Sequence, residues 1–247
     1  MGQVSFRIAG DRAYVTLDRA DKHNGLTIPM LGELRRIADT LRGADDVRSV
    51  ILSGNGPSFC SGLDIAGTAA NPLAIARNFL PHPWRGTNTF QEACWAWRRL
   101  PQPVLAVVHG HCYGAGLQLA TAADFRFATP DSDFAVMETA HGLVPDMSGT
   151  VTLSRLLGAD RALLLTLTAD PVDAAYAERI GLVTEVAADP MAAAEQLADR
   201  IAARSPHAVA AAKRMFDRTW NTGPRRAFGI ERATQLPLLV RRALGKH

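Results

Sequence analysis

The chain has no apolar run of 18 residues, so no stretch of it has the length of a membrane span. Its first residues, MGQVSFRIAG, lack the charged-then-apolar pattern of a secretion signal, and a cytoplasmic protein is expected. Cysteine is scarce and odd in number. Cys60, Cys94 and Cys112 show no metal-ligand spacing, which argues against a disulfide framework or a metal site and for reduced, structural thiols. Strong charge of one sign is also missing, the net value being +3. The basic residues are not interleaved with aromatics and carry no recognition motif, so nucleic acid is not the expected partner.

What is present suits a sizeable core: 247 residues, 47% hydrophobic and 21% charged, enough for one large domain or a domain with an appendage. The charge is unevenly placed. Residues 197–247 carry 11 Lys and Arg against 3 Asp and Glu, while residues 1–196 hold 16 against 21. This basic tail suits a phosphate-bearing molecule or an acidic neighbouring subunit, or else it is a solvated helix face.

Apolar patterning around Gly10-Asp11 predicts a hairpin from residues 4–8 and 13–17, and Pro29 opens a helix to about Arg42. A short strand covers residues 49–52, closed by a Gly-Asn-Gly-Pro turn at 54–57. Residues 67–89 are unreadable, with Phe79, Leu80 and Trp84 as candidate pocket walls. A helix from 90 to 100 follows, then strands at 104–108, 125–128 and near Phe134. Two helices fit residues 149–169, with Asp160 a possible N-cap. A helix over 172–180 and a strand over 182–186 precede a wholly helical end. The expected organisation is a strand–helix core over residues 1–190 and a helical region over 191–247.

Residues 104–120, VLAVVHGHCYGAGLQLA, form the centre of this pattern. Five apolar residues read as a strand buried on both faces, and Gly110, Gly114 and Gly116 lead into a helix. A helix start leaves free N–H groups at the positive end of its dipole, suited to a phosphate or a developing oxyanion. The alternative is a tight turn with nothing bound. The glycine spacing is not G-x-G-x-x-G, which speaks against a dinucleotide site. A second glycine-centred exit, FCSGLDIA at 59–66, supplies the amide of Leu63 as the first supplies that of Ala115. Two such amides aimed at one carbonyl oxygen would form an oxyanion hole.

These segments in this order, with Asn24-Gly25-Leu26, ADFRFAT at 123–129, GLVPD at 142–146 and the S-P-x-A-x-x-x-x-K stretch at 205–213, resemble the enoyl-CoA hydratase/isomerase (crotonase) superfamily. The resemblance runs from about Val4 to Lys213. It implies an α/β spiral of strand-strand-helix units with a C-terminal helical trimerisation region, packed as a homotrimer or a hexamer. It implies an acyl-CoA substrate, with CoA part of that substrate and no separate cofactor. The oxyanion-hole amides carry over to Leu63 and Ala115, although the usual triplet has glycine at 115. Substrate contacts carry over to Lys22, Asp64, Ile65 and Gln118; Lys22 is a phosphate contact or a solvated loop lysine.

Hydratases of the family use two glutamates, and the first falls on Gln118, whose amide cannot take a proton. The second falls on Glu138. Asp146, eight residues on, stands where hydratases have glycine, and the Glu138/Asp146 pair is similar to that of dienoyl-CoA isomerases. There one acid removes a proton and the other delivers one further along the acyl chain. Those isomerases also carry an aspartate where Gln118 stands, so the match is incomplete. Asp146 is alternatively an N-cap for a helix starting near Ser148. A dehalogenase of the family would need tryptophan at the position of Glu138 and histidine at that of Gln91, and this chain has neither. His141, between the acids, is read as a bystander. The expected activity is double-bond isomerisation of an unsaturated acyl-CoA. Hydration through Glu138 alone and a non-catalytic binder of acyl-CoA or nucleic acid are the rivals.

Overall fold

A computed structural model describes residues 2–69 and 71–245. The predicted hairpin is β1 (Val4–Ala9) and β2 (Arg12–Leu17), antiparallel, turning at Gly10 with φ +60°. Helix α1 (Ile28–Leu41) follows, with Pro29 in its first turn and the Thr27 hydroxyl accepting from Met30 N–H. Its Met30, Leu31, Leu34, Ile37, Ala38 and Leu41 are buried at helical spacing. Strand β3 (Ser49–Gly54) then pairs parallel to β2.

Residues 67–89, unreadable in sequence, hold two helices in part: α2 (Ile65–Ala69) and α3 (Pro72–Phe79). Asn71 caps α3, its side chain accepting from Ala74 N–H at 3.0 Å, yet α3 buries no residue. That lack of a buried stripe is why periodicity did not show it. The loop beyond α3 is tied down by charge: Arg85 bonds Asp39 of α1 and the fully buried Glu92. Glu92 lies on α4 (Thr89–Arg98), which opens with a capping box formed by Asn88 and Gln91.

Strand β4 (Val104–Val108) is buried at all five positions because both sheet faces are covered. Val104, Ala106 and Val108 join the main core with α1, α4 and α5. Leu105 and Val107 join a second cluster under a helix near the C-terminus. The predicted run from strand through glycines to helix is interrupted by β5 (His111–Tyr113), three residues and too short to betray a period. Helix α5 (Ala115–Ala122) follows, buried along its whole length, then β6 (Phe125–Ala128) and β7 (Asp133–Ala135).

Helices α6 (Gly149–Leu156) and α7 (Ala159–Thr168) match the expected pair. The N-cap of α7 is Gly158, however; Asp160 sits in the first turn, where the helix dipole favours it. The helix expected over 172–180 begins as a strand, β8 (Val172–Asp173). Asp173 then caps α8 (Ala174–Arg179), accepting from Tyr176 N–H at 2.7 Å. Strand β9 (Glu185–Val186) precedes α9 (Pro190–Ala202), α10 (Pro206–Thr219) and α11 (Pro224–Ala243).

The main sheet runs β1-β2-β3-β4-β6-β9, parallel after its first pair, beside a small sheet β5-β7-β8. Helix α9 covers the second core cluster through Ala194. Helix α10 is held by Lys213, whose buried ammonium donates to Asp124 at 2.6 Å and to the Gln102 carbonyl at 2.8 Å. The lysine of the 205–213 stretch is thus spent inside the molecule. Among the described residues no helix is long and apolar enough to cross a membrane. All three cysteines are free and buried.

Candidate active site

The Leu63 amide is set by its neighbours. Leu26 pairs parallel with Leu63, which means that Leu26 N–H donates to Gly62 O at 2.8 Å and Leu26 O accepts from Asp64 N–H at 2.9 Å. In this pattern the Leu63 N–H faces the opposite side, and it has no acceptor among the described residues. Asn24 fixes the Leu26 strand. Buried at φ +56°, it donates to the carbonyls of Asn55 and Ser58 and accepts from Arg19 N–H, each at 2.8 Å. The Asn-x-Leu element is therefore the scaffold of the Leu63 turn.

The Ala115 amide is free for another reason. It is the first residue of α5, where a helix N–H has no partner in its own helix. Gly114 before it adopts φ +50° and Gly62 φ +111°, both left-handed conformations that only glycine enters without strain. The two turns are in contact: a Cβ built on Gly62 would stand 3.3 Å from Tyr113 O and 3.9 Å from Ala115 N. Gly116 serves a different purpose from the expected ligand approach. A Cβ there would lie 2.6 Å from both Cys60 Cβ and Cys60 O, so it is the protein's own backbone that comes close.

Leu63 and Ala115 lie on the wall of one cavity of about 500 Å³. Ile65, Gln118, Glu138 and Asp146 line it too, and Ile75, Phe79, Phe90, Leu143 and Val144 make its apolar surface. Of the three residues expected to wall it, Phe79 does. Leu80 and Trp84 do not, being 66% and 97% exposed, because α3 ends at Phe79 and the chain turns outward.

Both acids are half-buried, and burial pushes each carboxyl above its ordinary range. For Glu138, hydrogen bonds from its own backbone and from Gln118 oppose this, whereas the nearby Asp146 charge adds to it. Glu138 Oε1 accepts from Gln118 Nε2 at 2.5 Å, and Glu138 Oε2 is buried with no partner. Asp146 makes no side-chain bond to α6, whose N-cap Ser148 supplies no cap bond either. The N-cap alternative for Asp146 therefore falls, and its carboxyl lines the cavity instead. Two amide donors and two carboxyls on one apolar wall can polarise a carbonyl and exchange protons with the chain attached to it.

Two expected contacts lie apart from this group. The Asp64 carboxylate accepts from Gly67 N–H at 2.9 Å and pairs with Arg19 at 2.9 Å, which hold it below its usual range. Lys22 is exposed on the turn Ala20–Lys22 and does not line the cavity. His141, read as a bystander, does line it. Its place between Glu138 and Asp146 in sequence was the available signal. Among the described residues no three His, Cys, Asp or Glu come together in a set that can hold a metal ion.

Comparison with known proteins finds similar sequences and a similar fold. The sequence model of the enoyl-CoA hydratase/isomerase family covers residues 9–236. A short-chain-enoyl-CoA hydratase of Clostridium acetobutylicum is 32% identical, over 88% of this chain and 82% of its own. The mitochondrial Delta(3,5)-Delta(2,4)-dienoyl-CoA isomerase of Rattus norvegicus is 34% identical, over 81% of this chain and 64% of its own. A structure from Thermobifida fusca, described as a candidate enoyl-CoA hydratase in complex with CoA, superimposes with a TM-score of 0.86 at 33% identity, over 98% of this chain and 95% of its own. Glycine turns, fold and comparisons agree: this chain has the crotonase fold and belongs to the enoyl-CoA hydratase/isomerase family of acyl-CoA enzymes.

Proposed function

We propose that the protein moves a double bond within an unsaturated acyl-CoA. The thioester oxygen sits on the amides of Leu63 and Ala115. Glu138, whose ionised form Gln118 supports, removes a proton from the acyl chain, and the electron pair passes to the thioester oxygen as a dienolate. Asp146 returns a proton at a carbon further along, so the chain ends isomeric with the substrate. Exchange with solvent then restores both carboxyls. The observation that supports this reading is the second carboxyl: Asp146 is half-buried, bonded to no other side chain and on the same wall as Glu138. Lys22 is assigned to a CoA phosphate, and Asp64 and Ile65 to shaping the turn beside the thioester.

Hydration through Glu138 alone is the competing reading, and the relationship to hydratases favours it. Assaying a 3,5-dienoyl-CoA beside a trans-2-enoyl-CoA separates the two. Faster isomerisation of the diene is expected; faster addition of water to the simple enoyl group overturns the proposal. Failure of both, with tight binding that survives E138Q, identifies a non-catalytic binder.

The reading includes a cytoplasmic homotrimer or hexamer. Leu163, Leu164 and Leu167 on α7, Phe216 on α10 with Trp220 at its C-cap, and Leu236, Leu239 and Val240 on α11 are exposed apolar side chains that suit subunit contacts. Light scattering is expected to give three or six times the chain mass of 26.6 kDa. A value of one chain overturns this part.

A further inference from the structure

The side chain of Gln118 makes three hydrogen bonds. Its Oε1 accepts from the backbone N–H of Met147 and of Gly149, both at 2.8 Å, and its Nε2 donates to Glu138 Oε1 at 2.5 Å; its own N–H continues α5 from Gly114 O. The two main-chain donors settle which end of the amide faces which way, since an NH2 group cannot accept from them. The loop is shaped around this oxygen. Ser148, between the two donors, holds the left-handed φ of +78°, a strained value for a residue with a side chain. At Gly149 a Cβ would lie 2.7 Å from Gln118 Oε1. One buried side chain thus grips both the carboxyl of Glu138 and the turn that carries Asp146.

We propose that Gln118 is a positioning residue, whose amide commits Glu138 Oε1 to a hydrogen bond, leaves Oε2 as the oxygen that takes the substrate proton, and sets Asp146 relative to it through the 147–149 backbone. It acts through the two acids and does not carry the proton itself. The inference rests on the assignment of Glu138 as the base. The amide also does what a carboxyl at this position cannot. It donates at every pH, whereas a glutamate 2.5 Å from Glu138 donates only while the pair shares a proton. The charged and titratable groups facing Glu138 are Asp146 and His141, with the buried Cys94 thiol behind.

The test uses Q118M and Q118E in the full-length protein, with two readouts. The first is kcat and KM on the dienoyl-CoA and the trans-enoyl-CoA. Q118M keeps the side-chain volume and removes the three polar contacts of the side chain, and it is expected to lower kcat by about 10–100-fold with KM within a few-fold. Q118E keeps an acceptor for Met147 and Gly149, so it is expected to fold and to recover much of the loss at low pH. That recovery is expected to fade as pH rises and the shared proton leaves. The second readout is the titration of Glu138 by carbon-13 NMR of side-chain-labelled glutamate, assigned with E138Q. It is expected to move up in Q118M and to split into two steps in Q118E. An effect confined to KM overturns the proposal, because it makes Gln118 a substrate contact. A Q118E-to-wild-type ratio flat with pH, or an unmoved Glu138 titration in Q118M, overturns it as well. The titration needs no turnover, so inactivity of the wild type on both thioesters counts against the reaction assigned and leaves this inference to be decided by NMR.

Discussion

At the scale of single residues, the proposed reaction depends on two main-chain donors and two carboxyls kept out of water. Replacing Ala115 by proline removes one donor while suiting the first position of a helix, where the fixed φ is already correct. A115P is expected to lower kcat by about 10²–10³-fold with unchanged circular dichroism. E138Q is expected to lower kcat by about 10²–10⁴-fold in the same steady-state assay. Burial makes these acids a burden on stability. Both carboxyls titrate above their ordinary range, so as pH rises through that window the unfolded chain releases protons that the folded protein keeps. Stability therefore falls with rising pH there, and is highest below it. At pH 7, E138Q and D146N are each expected to melt above the wild type in calorimetry, by about 2–4 °C for every 1 kcal/mol relieved. A lower Tm for both would show that the carboxyls are better solvated than their burial implies.

At the scale of elements, α5 must lie almost against the 60–62 segment for its first N–H to face the same cavity as Leu63. Gly116 allows this, and G116A puts a methyl 2.6 Å from Cys60 Cβ and Cys60 O. Overpacking of this kind costs about 1–3 kcal/mol, read as a loss in denaturant midpoint, and is expected to lower kcat too by retracting the Ala115 amide. The apolar patterns of β2, α1, β3, α4 and β4 were legible because each has a buried stripe or face of ordinary length, whereas β1, exposed beyond Val4, was legible through the Gly10-Asp11 turn that joins it to β2. Strands β5 and β8 span three and two residues, too few to show a period, and the strand expected over residues 182–186 shrinks to the two of β9. Their places follow from partners far along the chain, such as Asp133, which receives both His111 and the Tyr113 hydroxyl.

At the scale of the whole molecule, α10 is fastened to the body by charge in a nearly dry place. Lys213 and Arg98 share Asp124, while Arg98 and Arg155 share Asp217. Removing Lys213 leaves Asp124, among the described residues, only the longer pair with Arg98 at 3.6 Å, so K213M is expected to cost about 1–3 kcal/mol by urea unfolding, although it adds apolar surface. If K213M unfolds at the wild-type midpoint, the lysine is a surface residue in solution. The basic balance of residues 197–247 accordingly includes one cation, Lys213, and one anion, Asp217, that are spent on partners elsewhere in the chain.

By itself the sequence determined the local features: most of the longer helices and strands and the two glycine turns that follow one another, while the grouping of Glu138, Asp146 and Gln118 with them was implied by the family resemblance. Short-range sterics and periodicity are written into consecutive residues, so no partner is needed to read them. Tertiary structure alone decided which donors and acids meet. Leu63 N–H is free only because Leu26 engages its neighbours, and Asp146 lines the cavity only because Gln118, 28 residues earlier, accepts from the amides that follow it. Hydrogen bonds have direction and reach only about 3 Å, so their pairing depends on how the chain is folded.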